Sequence, residues 1–479
     1  MPSSNEAKNT KKLISIKHII MMGDSLSDRG TSNKSTVLGC IPMSSLNGLK
    51  GKSPDGRFTN GLVWSDHVSA KIASDFTINR LQKKWHLDDT DISDAIISHD
   101  RRIVSAIRDN YSLDDDYFVN YAGKVWVRSY CVGGLMAHDY SWVASSSLIR
   151  FFTRLIVASL DDLRKKVLKY DKKNHVPYEQ KAETLVIEWS GANDLVTVNA
   201  KPSIEEVDKA IIARMDNIKK MIATGYRNFI VMNLPNLALT PRYQAKSVED
   251  QNLAKTCSDY FNTKLQEACE QMSKEFPHCE VNAFDVNFLF EMIYNNPEQY
   301  LLDKEKLTIP YNTSVDFDDP ADGTSHATGY MFYDDLHPSA DLHALLAAYF
   351  YDQLPLKYEL LEPNQIKSNV KTPITEDALL QCFRFHYSAQ KTHDNRFIGH
   401  TKSTLDYKNA SLEVILKHAL DEEGKRTMTV LNNLGWVDKH GVLILKEPAL
   451  IKAMGKVHPA YLDESTSHLT LNRTQSATW

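Results

Sequence analysis

The chain of 479 residues is 42% hydrophobic and 24% charged, the balance of a globular protein with a large buried core. Its 56 Lys and Arg residues against 61 Asp and Glu leave a formal net charge of −5, which gives no electrostatic basis for nucleic-acid binding. The six cysteines, Cys40, Cys131, Cys257, Cys269, Cys279 and Cys382, contain no C-x-x-C pair, so a zinc site or dense disulfide framework is not expected and buried thiols are.

Residues 1–16 open with a polar leader, MPSSNEAKNTKK. The apolar run that follows, LISIKHIIMM, leads directly into a serine motif. A removable signal peptide would take away a strand that this motif needs, so none is expected. No apolar run reaches the roughly 20 residues of a membrane-spanning helix. The expectation is a cytoplasmic protein, or one exported by a signal-peptide-independent route, with peripheral membrane contact at most.

Apolar strand-like runs occur at residues 17–22 (KHIIMM), 184–189 (TLVIEW), 228–234 (NFIVMNL) and 280–286 (EVNAFDV). Helical spacing separates them at 150–169, at 205–223 with Ser203 as N-cap and Gly225 as stop, at 247–274 and at 341–354. This alternation predicts an α/β fold with a mostly parallel sheet covered on both faces. Residues 70–125 are irregular and charged and read as a partly helical insertion. Its Trp85, Tyr111, Tyr117 and Phe118 suit either local core or an amphipathic lid.

Residues 303–330 contain DFDDPADG, which resembles a calcium loop only superficially. Pro320 stands where a ligand is needed and the closing Glu is missing, so a solvated acidic loop is expected. Residues 17–355 form one large domain in this reading, 356–374 a proline-bounded linker, and 375–479 a small, mainly helical accessory domain with a flexible Ser/Thr-rich tail. His386, His393, His400 and His418 lack cysteine partners and metal-like spacing, and read as solvated.

Four motifs carry chemistry. Gly23-Asp24-Ser25-Leu26-Ser27-Asp28 follows the first strand, where a sharp turn into a helix exposes a serine and directs N–H groups at a developing oxyanion. Alone, it is better explained as a glycine turn with Asp24 and Ser25 capping a helix. Tyr130-Cys131-Val132-Gly133-Gly134 offers backbone N–H groups unobstructed by a β-carbon, or an ordinary loop. Gly191-Ala192-Asn193-Asp194 ends a strand and offers a side-chain amide, or a turn. In Asp334-Asp335-Leu336-His337-Pro338, a carboxylate three residues before a histidine reaches Nδ1 from the same turn and leaves Nε2 for a serine. That spacing selects Asp334 over Asp335, although an acidic helix start with a surface histidine also fits.

Taken together and in this order, the four motifs resemble the blocks of GDSL (SGNH) hydrolases over residues 17–354, and PDGRFTNGLVWSD at 54–66 is similar to the segment after the family's first block. The resemblance implies a flavodoxin-like α/β/α sandwich. It implies Ser25 as nucleophile, Asp334 and His337 as its triad partners, and an oxyanion hole made by the Ser25 N–H, Gly134 and Asn193. Because the glycine block reads SYCVGG where many relatives begin Asn-Tyr-Ala, Gly133 is the alternative to Gly134.

GDSLSDRG, WSGANDL and NLPNLALTPRY look most like the bacterial phospholipase A, lysophospholipase and glycerophospholipid:cholesterol acyltransferase branch. No cysteine lies between residues 280 and 381, so a disulfide-bridged loop there is excluded. The implied activity is hydrolysis of lipid carboxylic esters through an acyl-Ser25 intermediate, with water or an alcohol such as a sterol as acceptor, and with neither metal nor organic cofactor. The alternatives are a carbohydrate or small-ester deacylase of the same fold and a non-catalytic lipid- or partner-binding protein. Gly51-Lys52-Ser53 lacks the upstream glycine of a phosphate loop, Leu46 standing in its place, and no G-x-S-x-G occurs. The polar tail is compatible with delivery of a bacterial effector into host cells.

Overall fold

The computed structural model describes residues 13–34, 53–101, 117–141, 156–197, 201–318, 324–363, 379–384, 405–445 and 447–461, with a few residues between these segments. Besides a two-residue antiparallel pair at Thr36–Val37 and Ile41–Pro42, the strands are β1 (Ile14–Ile16), β2 (His18–Gly23), β3 (Tyr111–Ser112), β4 (Phe118–Tyr121), β5 (Lys124–Ser129), β6 (Thr184–Trp189), β7 (Asn228–Met232), β8 (Glu280–Phe284) and β9 (Tyr358–Leu360). The main sheet runs β8-β7-β6-β2-β5-β4-β3. Its pairs from β8 to β5 are parallel. The β4–β5 and β3–β4 pairs are antiparallel. β1 and β9 form a separate parallel pair.

Parallel strands covered on both faces read as continuous apolar runs, and every residue of β6 and β7 is buried. Alternation along β2 divides the core in two. Ile20 and Met22 face a layer built on α3 (Leu160–Lys173), α5 (Ile204–Ala223) and α6 (Val248–Glu275). Ile19 and Met21 face α1 (Trp64–Trp85), α7 (Val286–Asn295) and α8 (Ala340–Gln353). A three-layer α/β/α sandwich results, as the spacing of apolar runs predicts. Ser203 caps α5 by accepting the Glu206 N–H at 3.3 Å, and Gly225 follows with φ of 108°.

Two stretches differ from the sequence reading. The 70–125 region, expected as an insertion, supplies most of α1, whose buried Val68, Ile72, Ala73 and Phe76 lie in the core beside α8. It also supplies β4 and part of β5, which extend the sheet. A short helix, α2 (Asp89–Ile97), follows α1. Of the helix expected over 150–169, residues 150–153 and 155 lie outside the described residues; α3 starts at Leu160, where both the N–H and the hydroxyl of Ser159 donate to Asp162 and close a cap.

Among the described residues, α9 (Leu412–Leu420), α10 (Lys425–Asn433) and α11 (Pro448–Val457) are helices that follow the residues read as a linker. Their Leu416, Leu431, Leu450 and Met454 share one core with α5 and α6. The Trp436 indole N–H donates to the Ala223 carbonyl at 2.8 Å, and buried Glu447 pairs with Arg227 at 3.2 Å. Ala223 and Arg227 lie just before β7, so this contact is made at the N-terminal edge of the sheet.

Candidate active site

From central β2 the chain passes first to β5 on one side and then to β6, β7 and β8 on the other. The reversal opens a crevice at the carboxyl ends of β2 and β6, where open α/β sheets bind ligands. Ser25 follows β2 directly, and Asn193 lies in α4 (Ala192–Val196), directly after β6. The Asp24 N–H donates to the Trp189 carbonyl at 3.2 Å, so the two strand ends are bonded to each other.

Here the four sequence motifs meet. Ser25 Oγ lies 2.8 Å from His337 Nε2, and His337 Nδ1 lies 2.8 Å from Asp334 Oδ2. The other Asp334 oxygen accepts the N–H groups of Leu336 at 2.8 Å and His337 at 2.6 Å, which fixes the carboxylate within its own turn. Asp335 is engaged elsewhere: Arg242 Nε and Nη2 hold its carboxylate at 2.9 and 3.0 Å. Hydroxyl, imidazole and carboxylate thus stand in series, an arrangement able to move a proton off the serine.

Gly134 and Asn193 line the same cleft as Ser25 and His337. Gly133 is tied back, since its N–H donates to Asp28 at 2.8 Å and to Ser32 Oγ at 2.7 Å. Gly134 has φ of 75°, a left-handed conformation that suits a residue without Cβ. Asn193 Oδ1 accepts from the Thr197 hydroxyl at 2.8 Å, which fixes the amide with its NH₂ toward the Leu135 carbonyl, 3.1 Å away. That bond uses one of the two amide hydrogens and leaves the second for a ligand.

Burial and charge oppose one another at the triad. Burial lowers the basicity of His337, but the Asp334 charge and hydrogen bond outweigh it and hold the imidazole above its ordinary value. Burial likewise pushes Asp334 up, and His337 with the backbone N–H groups brings it below the usual carboxylate range. Burial raises Asp24 to about 7, against the hydrogen bond from the Leu26 N–H and the charge of His337. Its Oδ2 is buried without a hydrogen-bond partner among the described residues.

Ser25 and His337 also border an apolar pocket walled by Leu26, Leu237, Phe290, Phe332 and Leu336. Of the aromatic residues weighed as a lid, Trp85 and Phe118 lie elsewhere, and the Tyr111 side chain lies outside the described residues. Trp64 Nε1 donates to Ser27 Oγ, placing the start of α1 near the site, whereas Trp85 ends this 22-residue helix, about 32 Å along its axis. Phe118 packs on Tyr170 at 5.7 Å between ring centroids, which is local core. Of the acidic motif, residues 319–323 with Pro320 lie outside the described residues, while Asp316 pairs with Lys306 at 2.7 Å. Among the described residues no cluster of His, Cys, Asp and Glu could hold a metal, no helix is long and apolar enough to cross a membrane, and Cys131, Cys257, Cys269, Cys279 and Cys382 are buried free thiols.

Sequence reasoning gave no role to several residues that the structure brings to the site. Asp28 accepts from the N–H groups of Gly30, Thr31 and Gly133 and from the hydroxyls of Thr31 and Ser32, so it joins the serine block to the glycine block. Phe58 stacks beside the His337 ring at 5.1 Å. The neighbouring Thr59 hydroxyl donates to the Pro338 carbonyl at 3.0 Å, and Asn60 Oδ1 accepts the Ala340 N–H at 2.9 Å. Beneath them Asp66 pairs with both Arg29 and Arg57. The segment PDGRFTNGLVWSD therefore buttresses the histidine turn.

Known proteins share this organisation in part. Over 181 residues the chain is 26% identical to the secreted effector protein SseJ of Salmonella typhimurium, a match covering 36% of this chain and 40% of that protein. It is 23% identical over 242 residues to a phosphatidylcholine-sterol acyltransferase of Aeromonas hydrophila, covering 40% of this chain and 70% of that one. It is also 23% identical over 348 residues to an anther-specific proline-rich protein APG of Brassica napus, covering 67% and 68%. The family profile described as GDSL-like lipase/acylhydrolase matches residues 19–350, from β2 through α8, a span that contains Ser25, Gly134, Asn193, Asp334 and His337. The chain belongs to the GDSL-like lipase/acylhydrolase family.

Proposed function

We propose that the protein is a serine esterase of the phospholipase A or lysophospholipase type, which cleaves lipid carboxylic esters through an acyl-Ser25 intermediate. The observation that carries this reading is the hydrogen-bonded series Ser25–His337–Asp334 opening onto an apolar pocket. His337 Nε2 takes the Ser25 proton as Oγ attacks the ester carbonyl. The oxyanion meets the N–H groups of Ser25 and Gly134 and the free amide hydrogen of Asn193, where donors matched to developing charge are most effective. His337 then returns the proton to the leaving alcohol, leaving the acyl chain on Ser25 in the apolar pocket. Water or a second alcohol enters the open cleft and reverses the sequence.

A relative named a phosphatidylcholine-sterol acyltransferase supports an alcohol such as a sterol as a second acceptor. A relative named a secreted effector supports export; residues 375–479 would form the accessory region, with the linker read at 356–374 starting only after β9, which pairs with β1. Peripheral contact with a lipid surface follows from the nature of the substrate. The decisive experiment compares fatty-acid release from a lysophospholipid and a monoacylglycerol by the wild type, Ser25→Ala and His337→Ala. Loss of at least about 10⁴-fold in kcat in both variants, with unchanged circular dichroism, is expected. Undiminished release by Ser25→Ala would exclude the assigned nucleophile. Asn193→Ala should cost about 10²–10³-fold in kcat with little change in KM.

A further inference from the structure

Ser25 and His337 stand between two cavities of opposite character. One is the apolar pocket. The other is an open polar cleft of about 320 Å³, within the range for a small ligand, about 300–1,000 Å³. Arg242, Asp335, Asn312 and Thr313 line it. An ester that seats its acyl chain in the apolar pocket projects its alcohol portion into this cleft. The chemistry of the cleft wall therefore acts on the leaving group.

On that wall the Arg242 guanidinium and the Asp335 carboxylate lie side by side in a two-bond fork. The fork occupies Nε and Nη2 and does not use Nη1. The side chains are 30% and 47% exposed, so both charges remain open to a ligand. A half-exposed ion pair contributes little to stability, because solvent screens it. The local turn is held independently of it, by the Arg242 N–H to the Asp335 carbonyl at 2.8 Å. A lone guanidinium would favour an anionic headgroup. Paired with a carboxylate it has no net charge but presents a dipole, with the neutral donors and acceptors of Asn312 and Thr313 nearby.

We propose that Arg242 and Asp335 form a headgroup subsite that selects esters whose alcohol portion carries a zwitterionic phosphodiester, the guanidinium taking the phosphate and the carboxylate the ammonium. This subsite rests on the esterase reading above. Arg242 and Asp335 are specificity residues in it, with no part in the proton transfer.

The test uses the full chain and three substrates of one acyl chain in the same detergent micelles: lysophosphatidylcholine, lysophosphatidylglycerol and monoacylglycerol. Ratios of kcat/KM within a single protein cancel any general loss of folding or of triad geometry. Arg242→Gln should lower the ratio of lysophosphatidylcholine to monoacylglycerol about tenfold, the effect of one charge-assisted hydrogen bond. Asp335→Asn frees the guanidinium and should raise the ratio of lysophosphatidylglycerol to lysophosphatidylcholine by a similar factor. Ratios within about twofold of wild type in both variants would overturn the subsite while leaving the esterase reading intact. Failure of the esterase reading has a different signature: wild type would release no more fatty acid than Ser25→Ala from any of the three, and the subsite would fall with it.

Discussion

Ser25 is only as reactive as His337 is able to accept its proton, so the pH dependence follows from that imidazole. Asp334 holds it above 6.5 against the effect of burial. Only neutral His337 can act as base; kcat/KM should therefore rise with pH through a midpoint above 6.5. Asp334→Asn removes the charge that favours imidazolium. The midpoint should move down while the plateau falls about 10⁴-fold, and a pH–rate profile with an unmoved or raised midpoint would contradict the pairing. Asp24 makes a separate contribution to stability. Its carboxyl keeps a proton to about pH 7 in the folded chain, whereas an unfolded Asp loses it near 3.8. The folded state thus binds more protons across that window, and this group's contribution to stability declines as pH rises from about 4 to about 7. Asp24→Asn keeps an acceptor for the Leu26 N–H and removes the titration. Relative to wild type it should gain about 3 kcal/mol between pH 4 and pH 7 in urea unfolding.

The elements that matter most are the turns leaving β2 and β6. Gly191 has φ of 111°, and a Cβ there would lie 2.7 Å from the Phe261 ring. Gly191→Ala is expected to cost about 2 kcal/mol through the combined strain and overlap, and to lower kcat by displacing Asn193. Thermal unfolding and steady-state kinetics on one preparation would show both losses, and a variant that loses neither would mean that α4 tolerates a different turn. The legibility of the sequence also divides by element. β2, β6 and β7 read directly because parallel strands buried on both faces are continuous apolar runs, and edge strand β8, with only Val281 buried, read by its position after a long helical run. β5 did not, because Arg128 interrupts it. That charge is buried only because Asp171 at 2.7 Å and the Tyr226 hydroxyl at 3.0 Å receive it, partners far along the chain. α1 was hidden in the same way by Asp66, whose charge is matched by Arg29 and Arg57. Ser25, Asn193, Asp334 and His337 stood out because their spacing within each motif already states a chemistry. Asp28, Phe58 and Arg242 act through contacts between motifs, which no local spacing encodes.

At the scale of the whole molecule, the apolar core on one side of the sheet runs without interruption into the helices beyond residue 405. Trp436 is fully buried, and its indole N–H is satisfied by a carbonyl at the end of α5. Glu447 and Arg227 are both buried and pair at 3.2 Å, so removal of either breaks a buried ion pair and destabilises the fold. Such coupling predicts one calorimetric transition for the main body and for α9 to α11, despite the polar stretch between them. Trp436→Ala, costing about 3–5 kcal/mol, and Glu447→Ala should each lower the temperature of that single transition. Neither should change kcat/KM below it, because the contact lies at the N-terminal edge of the sheet and the site at the carboxyl edge. Deletion of residues 372–479 would expose the α5–α6 face that these helices cover, and the remaining chain should unfold at lower temperature and aggregate. If two transitions appear instead, and Trp436→Ala moves only one of them, α9 to α11 form an independently folding unit. A chain shortened at residue 372 would then keep full stability and activity, and any role of those helices would have to be sought in delivery or in partner binding.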